Sequence, residues 1–250
     1  MYVEFNPEDF HNMLDDIKFD YYDLINMIKK LDYVAPPKVN KDPKFNSNEV
    51  NAVETWASYE THHGYVKMPK MVTAFYDFVL RYNRIPSQSE YVDEYFKYAK
   101  TNIAYKMNEV VRAGYDKTKF IEALDNRCRR SYPSFLRDLE FALLLKSKGM
   151  NVIYNETIDT DWNIDIMYIS PNDNYYGIHC YTDTSRANEF RVRKDFRHTE
   201  AFANVINVDL AVNLGRNDRL EINNFKLYDD VDFKNLVENM KRAKKQFENQ

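Results

Sequence analysis

The hydrophobic pattern of the chain changes at Gly149, and this change restricts the fold more than any other feature. In residues 134–148, apolar side chains recur at three- and four-residue spacing, which predicts a helix buried along a wide face. Gly149 follows a Lys-Ser-Lys sequence and is suited to ending that helix. The runs that follow are rich in β-branched and aromatic residues and predict strands at 152–154, 163–169 and 175–181. We therefore expect helix and sheet in one α+β domain.

The chain beyond the third strand continues the alternation of helix and strand. A basic helix is predicted at residues 185–198, and a strand at 205–212. A turn at 215–218 precedes a predicted last strand at 220–227. The final helix places four apolar residues on one face, namely Phe233, Leu236, Met240 and Phe247.

The first half of the chain is predicted to be helical. The chain has only 5 glycines in 250 residues, which favours helix over a turn-rich all-β fold. Residues 1–34 show helical spacing and are acidic, and 35–50 are polar and contain proline, as expected of a linker. Pro133 is predicted to break the chain before the helix at 134–148. We expect a helical region at 1–130 and an α+β domain at 131–250.

One part of the helical region has the pattern of a helix-turn-helix. A helix is predicted to end at Tyr82, and Ser87 with Glu90 three residues later predicts a capping box at the start of the next helix. Residues 84–90 resemble the entry into the helix-turn-helix of winged-helix DNA-binding proteins. The same residues also fit an ordinary helical hairpin, so both interpretations of 75–98 stay open.

The order of helix, hairpin, third strand and helix resembles the PD-(D/E)xK, or restriction-endonuclease-like, nuclease superfamily. The resemblance covers residues 134–228 and implies an αβββαβ core in which carboxylates hold a divalent metal beside a phosphodiester. Matched by position, Glu140 is the helix acid and Asp165 the second-strand acid, and both are implied metal ligands. The third strand differs, because His179-Cys180-Tyr181 stands where Glu-x-Lys is expected.

The resemblance implies catalysis with Mg²⁺ or Mn²⁺ and a substitute for the missing lysine. His179 is a candidate ligand or base, Tyr181 a candidate phosphate-orienting group, and Lys194 a candidate lysine supplied from the next helix. Asp165 is the strongest candidate because it lies among apolar residues. The alternatives are a solvent-facing Asp165 at a strand end and a core role for His179 and Tyr181.

The charge distribution is consistent with a metal site beside phosphate contacts. Residues 149–183 contain six acids and no lysine or arginine, although the net charge of the chain is only -4. Basic helices precede and follow this segment. Their candidate nucleic-acid-binding residues are Arg137, Arg186, Arg191, Arg193 and Arg197. A chance distribution of charge is the alternative.

Several classes of protein have no support in the sequence. No apolar run approaches the roughly 18 residues of a membrane span, and no signal peptide is predicted. Cys128 and Cys180 are isolated, which favours reduced thiols and a cytoplasmic protein. The adjacent His62 and His63 lack the spacing of a metal site, and no Gly-rich phosphate loop is present.

Three functions remain open at this stage. The first is a metal-dependent DNA endonuclease, and the second is a related fold that binds nucleic acid without cutting it. The third is a factor from a phage or mobile element that binds a protein partner through the acidic N-terminal helices. A homodimer is compatible with each of them.

Overall fold

The computed structural model describes residues 3–34, 68–112, 114, 116–183 and 202–249, which form two compact units. Unit 1 consists of Met1–Lys30 and Leu136–Gln250, and unit 2 of Leu31–Phe135. The predicted α+β class is confirmed by the helices and the mixed sheet. The predicted helix at 185–198 and the linker at 35–50 lie outside the described residues.

The helices and strands are numbered here in chain order. The α-helices are α1 Met13–Asp16, α2 Tyr21–Lys29, α3 Met71–Tyr82, α4 Gln88–Tyr98, α5 Lys100–Arg112, α6 Lys117–Ser147, α7 Glu156–Trp162 and α8 Asp230–Phe247, with a short 3₁₀ helix at Pro7–Asp9. The strands are β1 Asn151–Ile153, β2 Ile166–Ile169, β3 Tyr175–Thr182, β4 Val205–Val212, β5 Glu221–Ile222 and β6 Phe225–Lys226. No helix in the described part of the chain is long and apolar enough to cross a membrane.

Four strands of unit 1 form a mixed sheet in the order β1-β2-β3-β4. β1 and β2 are antiparallel, as are β2 and β3, whereas β3 and β4 are parallel. Tyr175 pairs with Val205 and His179 with Asp209, so the polar residues late in β3 lie beside those of β4. The predicted strand at 205–212 is confirmed with its bounds unchanged.

Alternation along the strands gives the sheet two apolar faces. One face contributes to a cluster that includes Ile153, Met167 and Val205, packed with Phe5 and Phe202. Residues one position away in each strand point to the opposite face and are also buried, among them Val152, Ile166, Ile178, Val208 and Leu210. The sheet is therefore apolar on both sides over most of its length.

The start of the chain packs on the sheet of unit 1. The side chain of Asn204 both accepts a hydrogen bond from the backbone N–H of Phe5 (2.7 Å) and donates one to its carbonyl (2.9 Å). Val3 forms a parallel bridge with Phe202, whose ring stacks on Trp162 at 3.9 Å between centroids. These contacts join residues separated by most of the sequence, and Met1–Lys30 therefore belong to the same compact unit as Leu136–Gln250.

We expect Asn204→Leu to release the first residues of the chain. Leucine fills similar space but can satisfy neither the N–H nor the carbonyl of Phe5, and each unsatisfied buried group costs about 1–3 kcal/mol. Hydrogen exchange should become much faster at Phe5 and remain unchanged in β2. Asn213→Leu, which removes a local bond to Gly215, is the control. Protection of Phe5 that survives in Asn204→Leu would contradict this prediction.

The break predicted at Pro133 is wrong, because α6 continues through it from Lys117 to Ser147. Proline cannot donate to the carbonyl of Arg129, four residues earlier. The buried side chain of Gln88 donates to that carbonyl instead, at 3.2 Å. Gly149 ends the helix as predicted, with a φ of 81°.

Two further differences from the predicted elements have local causes. The strand predicted at 220–227 is a hairpin of β5 and β6, because Asn223 and Asn224 adopt φ values of 51° and 64°. The short helix α7 was not predicted. Asn155 caps it by accepting a hydrogen bond from the N–H of Ile158, and Asn163 ends it in the left-handed region.

The described part of unit 2 consists of α3, α4, α5 and the first part of α6. Its core is aromatic: Tyr91 and Tyr132 lie 5.6 Å apart between ring centroids, and Phe75 packs against both. The hydroxyl groups of these tyrosines donate to the carbonyls of Met71 and Pro86. Burying a tyrosine with its hydroxyl paired in this way removes large apolar area from water without an unsatisfied polar group.

Candidate functional site

Asp165 lies just before β2, and its carboxylate is directed at the backbone of β3. Oδ2 accepts a hydrogen bond of 2.6 Å from the N–H of Cys180. The N–H of Asp165 donates to the carbonyl of Ile178. The carboxylate therefore replaces a backbone carbonyl as the acceptor at the point where the backbone hydrogen bonds between β2 and β3 end. Asp165 is half-buried rather than fully exposed.

His179 is next to Asp165 in the sheet and makes two polar contacts. Because Ile166 pairs with Ile178, the following position of β3 brings His179 beside Asp165. The Nδ1 atom of His179 lies 2.9 Å from the carbonyl oxygen of Asn163, and Nε2 lies 3.0 Å from Oδ1 of Asn207. His179 is thus held by polar groups and is half-buried, rather than packed in the apolar core.

The late part of β3 and β4 forms a polar extension of the otherwise apolar sheet. His179 and Tyr181 share a face by alternation, and Asp209 and Ala211 are their partners in β4. All four are exposed or half-buried. Asp209 was not singled out from the sequence, because an acid in an alternating strand resembles a solvent-facing residue until its neighbours are known.

Glu140 lies in a different environment from Asp165. It is 0% exposed; Oε2 accepts from the N–H of Tyr228 at 3.1 Å, and Oε1 has no hydrogen-bond partner among the described residues. Burial is the largest influence and raises the pKa of Glu140 to about 8, whereas the N–H of Tyr228 and the side chain of Tyr21 oppose the rise. The raised pKa favours the neutral carboxyl, so binding a cation there would require it to release a proton.

The charges of Asp138 in α6 and of Asp165 both act on the thiol of Cys180. Burial raises the pKa of the Cys180 thiol well above its usual range, and the nearby charges of Asp165 and Asp138 raise it further. Both acids are therefore close to the same thiol, one from the helix and one from the sheet. Asp138 precedes Glu140 by two residues, and a short motif with one helix acid cannot distinguish them. The thiol itself is poorly suited to be a nucleophile, because the thiolate is disfavoured.

The remaining predicted site residues are partly outside the described structure. Tyr181 lies two residues after His179 in β3. Arg137 is half-buried in α6; burial raises the pKa of both Glu140 and Tyr228, and the charge of Arg137 opposes that rise. The predicted residues at Lys194, Arg186, Arg191, Arg193 and Arg197, and the histidines at 62 and 63, lie outside the described residues. Within the described residues, no group of three or more His, Cys, Asp or Glu side chains could hold a metal ion.

The predicted helix-turn-helix segment has the expected helices, and its arginines are paired with acids. Ser87 and Glu90 form the predicted capping box at the start of α4. Two arginines near this helix are paired with its acids. Arg84 forms a bidentate ion pair with Glu90, and Arg81 contacts Glu94 at 2.5 Å. The Arg84 contact is the largest cause that lowers the pKa of Glu90, to about 2. These arginines are already engaged, which weakens the case for phosphate contact by α4.

A scan against protein-family models and searches of curated proteins and solved structures found no match to this chain.

Proposed function

We propose that the protein is a metal-dependent DNA endonuclease with a restriction-endonuclease-like core in unit 1. The observation that supports this function best is the arrangement of the sheet. Three successive strands are followed by a fourth that is parallel to the third, and an acid lies at the start of β2 beside the polar end of β3. This is the order of strands and the position of the acid that the sequence resemblance implies.

The described residues have oxygen and nitrogen donors suited to this chemistry. Asp165 directly precedes β2 and Asp209 pairs with His179 in β4, and carboxylate oxygens are the ligands that Mg²⁺ prefers. A bound divalent cation would neutralise phosphate charge and make water more acidic. In this proposal Asp165 holds the cation, Asp209 is a second acidic group, and His179 contacts the phosphate or moves a proton through its ring.

A second candidate function is DNA binding without cleavage. Two observations favour it. The His179-Cys180-Tyr181 sequence of β3 does not contain the lysine that the resemblance implies. The raised pKa of Glu140 favours a neutral group where the resemblance implies a helix carboxylate. Both candidates place nucleic acid at the same end of the sheet, so a cleavage assay separates them.

We expect Asp165→Asn to abolish metal-dependent cutting of DNA. Asparagine keeps an oxygen that accepts from the N–H of Cys180, so the fold should be retained while the charge is lost. Because loss of the carboxylate charge weakens binding of the cation that neutralises phosphate charge and activates water, cutting should decrease by at least about a hundredfold. The assay uses supercoiled, linear and single-stranded DNA with Mg²⁺ or Mn²⁺, and with EDTA.

Asp173→Asn is the matched control, because Asp173 is an exposed acid in the turn between β2 and β3. Its cutting rate should equal that of the unmodified protein. DNA binding without cutting in any metal would select the second candidate. Cutting that persists in Asp165→Asn would mean that the site lies on other residues, and absence of DNA binding at low salt would exclude both candidates.

A further inference from the structure

The ring of His179 is held between two elements of unit 1 that are distant in sequence. Nδ1 contacts the carbonyl of Asn163 at the end of α7, and Nε2 contacts the side chain of Asn207 in β4. These contacts, 2.9 and 3.0 Å long, engage every polar atom of the side chain. A ring held at both nitrogens has one orientation, which is the requirement for a group that acts on a substrate.

The contact with Asn163 determines which nitrogen carries a hydrogen. Asn163 adopts a φ of 54° at the end of α7, and its N–H bonds to the carbonyl of Ile158, so its backbone position is fixed. A carbonyl oxygen can only accept, and Nδ1 of His179 must therefore donate. The exchangeable position of the ring is left at Nε2, the atom that faces Asn207.

The contact with Asn207 depends on the absence of a side chain at residue 177. Asn207 pairs with Gly177 in the register of β3 and β4. A Cβ at Gly177 would lie 3.2 Å from Oδ1 of Asn207 and 3.1 Å from side-chain atoms of Ile164 and Val205. The glycine thus leaves the space in which the Asn207 side chain extends toward His179.

An amide at this position can serve both protonation states of the ring. Oδ1 accepts from Nε2–H of an imidazolium, and after a half-turn of the amide Nδ2 donates to the neutral Nε2. The charged groups in register with His179 are Asp165 on the β2 side and Asp209 on the β4 side, and the phenol of Tyr181 follows on the same face. Asn207 keeps the ring in place while these surroundings and a ligand change its charge.

We propose that Asn207 is a positioning residue for His179, and that it fixes the ring so that Nε2 is the atom at which the ring gains or loses a proton. The role of His179 rests on the proposed endonuclease function. The fixed orientation of the ring and its tautomer do not depend on that function, because both can be measured in the protein without DNA or metal.

The test is a long-range ¹H–¹⁵N correlation spectrum of protein labelled in its histidines, with His179→Gln used to assign the signals. At a pH where the ring is neutral, His179 should carry its hydrogen on Nδ1. Asn207→Leu should shift His179 toward the averaged signals of a mobile ring. Asn207→Asp should keep the ring in place, because its carboxylate can accept from Nε2–H. The signals of His11, which contacts Asp16, should be identical in all variants.

Gly177→Ala provides a second variant that displaces Asn207 without removing it, and it should produce a weaker form of the Asn207→Leu spectrum. Unchanged His179 signals in Asn207→Leu, or a hydrogen on Nε2 alone in the unmodified protein, would overturn the assignment.

If DNA is cut, Asn207→Leu should lower kcat by about tenfold or more with a smaller change in KM, and an unchanged kcat would also overturn the assignment. Changed spectra together with no cutting would support Asn207 as a positioning residue and reject the endonuclease.

Discussion

Replacement of Glu140 by glutamine is expected to stabilise the protein by an amount that grows with pH. The pKa of Glu140 is raised from 4.5 to about 8, chiefly because the carboxyl is fully buried. Below pH 4.5 the folded and unfolded chains both hold the proton, so this group has no effect there. Between pH 4.5 and 8 only the unfolded chain releases it, and the free energy of unfolding therefore falls as pH rises. At pH 7 the loss is on the order of 3 kcal/mol.

Glutamine removes this dependence because it is neutral at every pH. Its side-chain oxygen can still accept the hydrogen bond from the N–H of Tyr228. Urea unfolding at pH 5, 7 and 8.5 should give a small difference between Glu140→Gln and the unmodified protein at the lowest pH and the largest difference at the highest. Glu4→Gln, at an exposed position, is the matched control. Parallel stability profiles for Glu140→Gln and the unmodified protein would contradict the raised pKa.

The same measurement tests the predicted role of Glu140 as a metal ligand. A cation bound at Glu140 would favour the ionised carboxyl in the folded protein, so added Mg²⁺ should flatten the fall in stability between pH 5 and 8. The effect should be absent in Glu140→Gln. If Asp138 is the helix carboxylate instead, Mg²⁺ should leave the pH dependence of Glu140 intact.

The sequence was sufficient to predict those elements whose conformation is determined by their own residues. The α6 helix ends two residues before Gly149, because this glycine adopts the positive φ that turns the chain out of the helix. β4 has the predicted bounds because its alternation is unambiguous. The capping box of α4 likewise involves only Ser87 and Glu90. In each case the pattern and the contact that produces the structure lie within one short segment.

The features that were missed depend on contacts between distant segments. The helix passes Pro133 because Gln88 satisfies a carbonyl of Arg129, and no local pattern indicates that bond. The same limit applies to the site, because Asn207 and His179 are 28 residues apart and meet only when β3 and β4 pair. Asp165, by contrast, was singled out from the sequence because it lies among apolar residues, although its bond to the N–H of Cys180 was not foreseen.

Arg219 and Asp232 form the most deeply buried ion pair among the described residues. Both side chains are 2% exposed, and two hydrogen bonds of 2.7 and 2.9 Å join them. Arg219 also donates to the carbonyls of Asn213 and Leu227, and Asp232 accepts from the N–H of Asp229 at the start of α8. The pair therefore joins the turn before β5, the residue after β6 and the first turn of α8.

Removing the arginine alone should be strongly destabilising. Arg219→Met keeps much of the apolar contact but leaves the charge of Asp232 buried without its partner, which costs about 3–5 kcal/mol in comparable cases. Asp232→Asn added to Arg219→Met should recover part of the loss, because asparagine is neutral and can still accept from the N–H of Asp229. Lys241→Met, which disrupts an exposed ion pair with Glu238, should leave the free energy of unfolding nearly unchanged.

The measurement is urea unfolding of Arg219→Met, Asp232→Asn, the double variant and Lys241→Met at pH 7. The difference between the double variant and the sum of the single variants gives the coupling energy of the pair. If the double variant loses as much free energy of unfolding as the two single variants together, the stability comes from the separate bonds to Asn213, Leu227 and Asp229. Recovery in the double variant would show that the penalty is the unpaired charge, since those backbone contacts of Arg219 are absent from both Arg219→Met proteins.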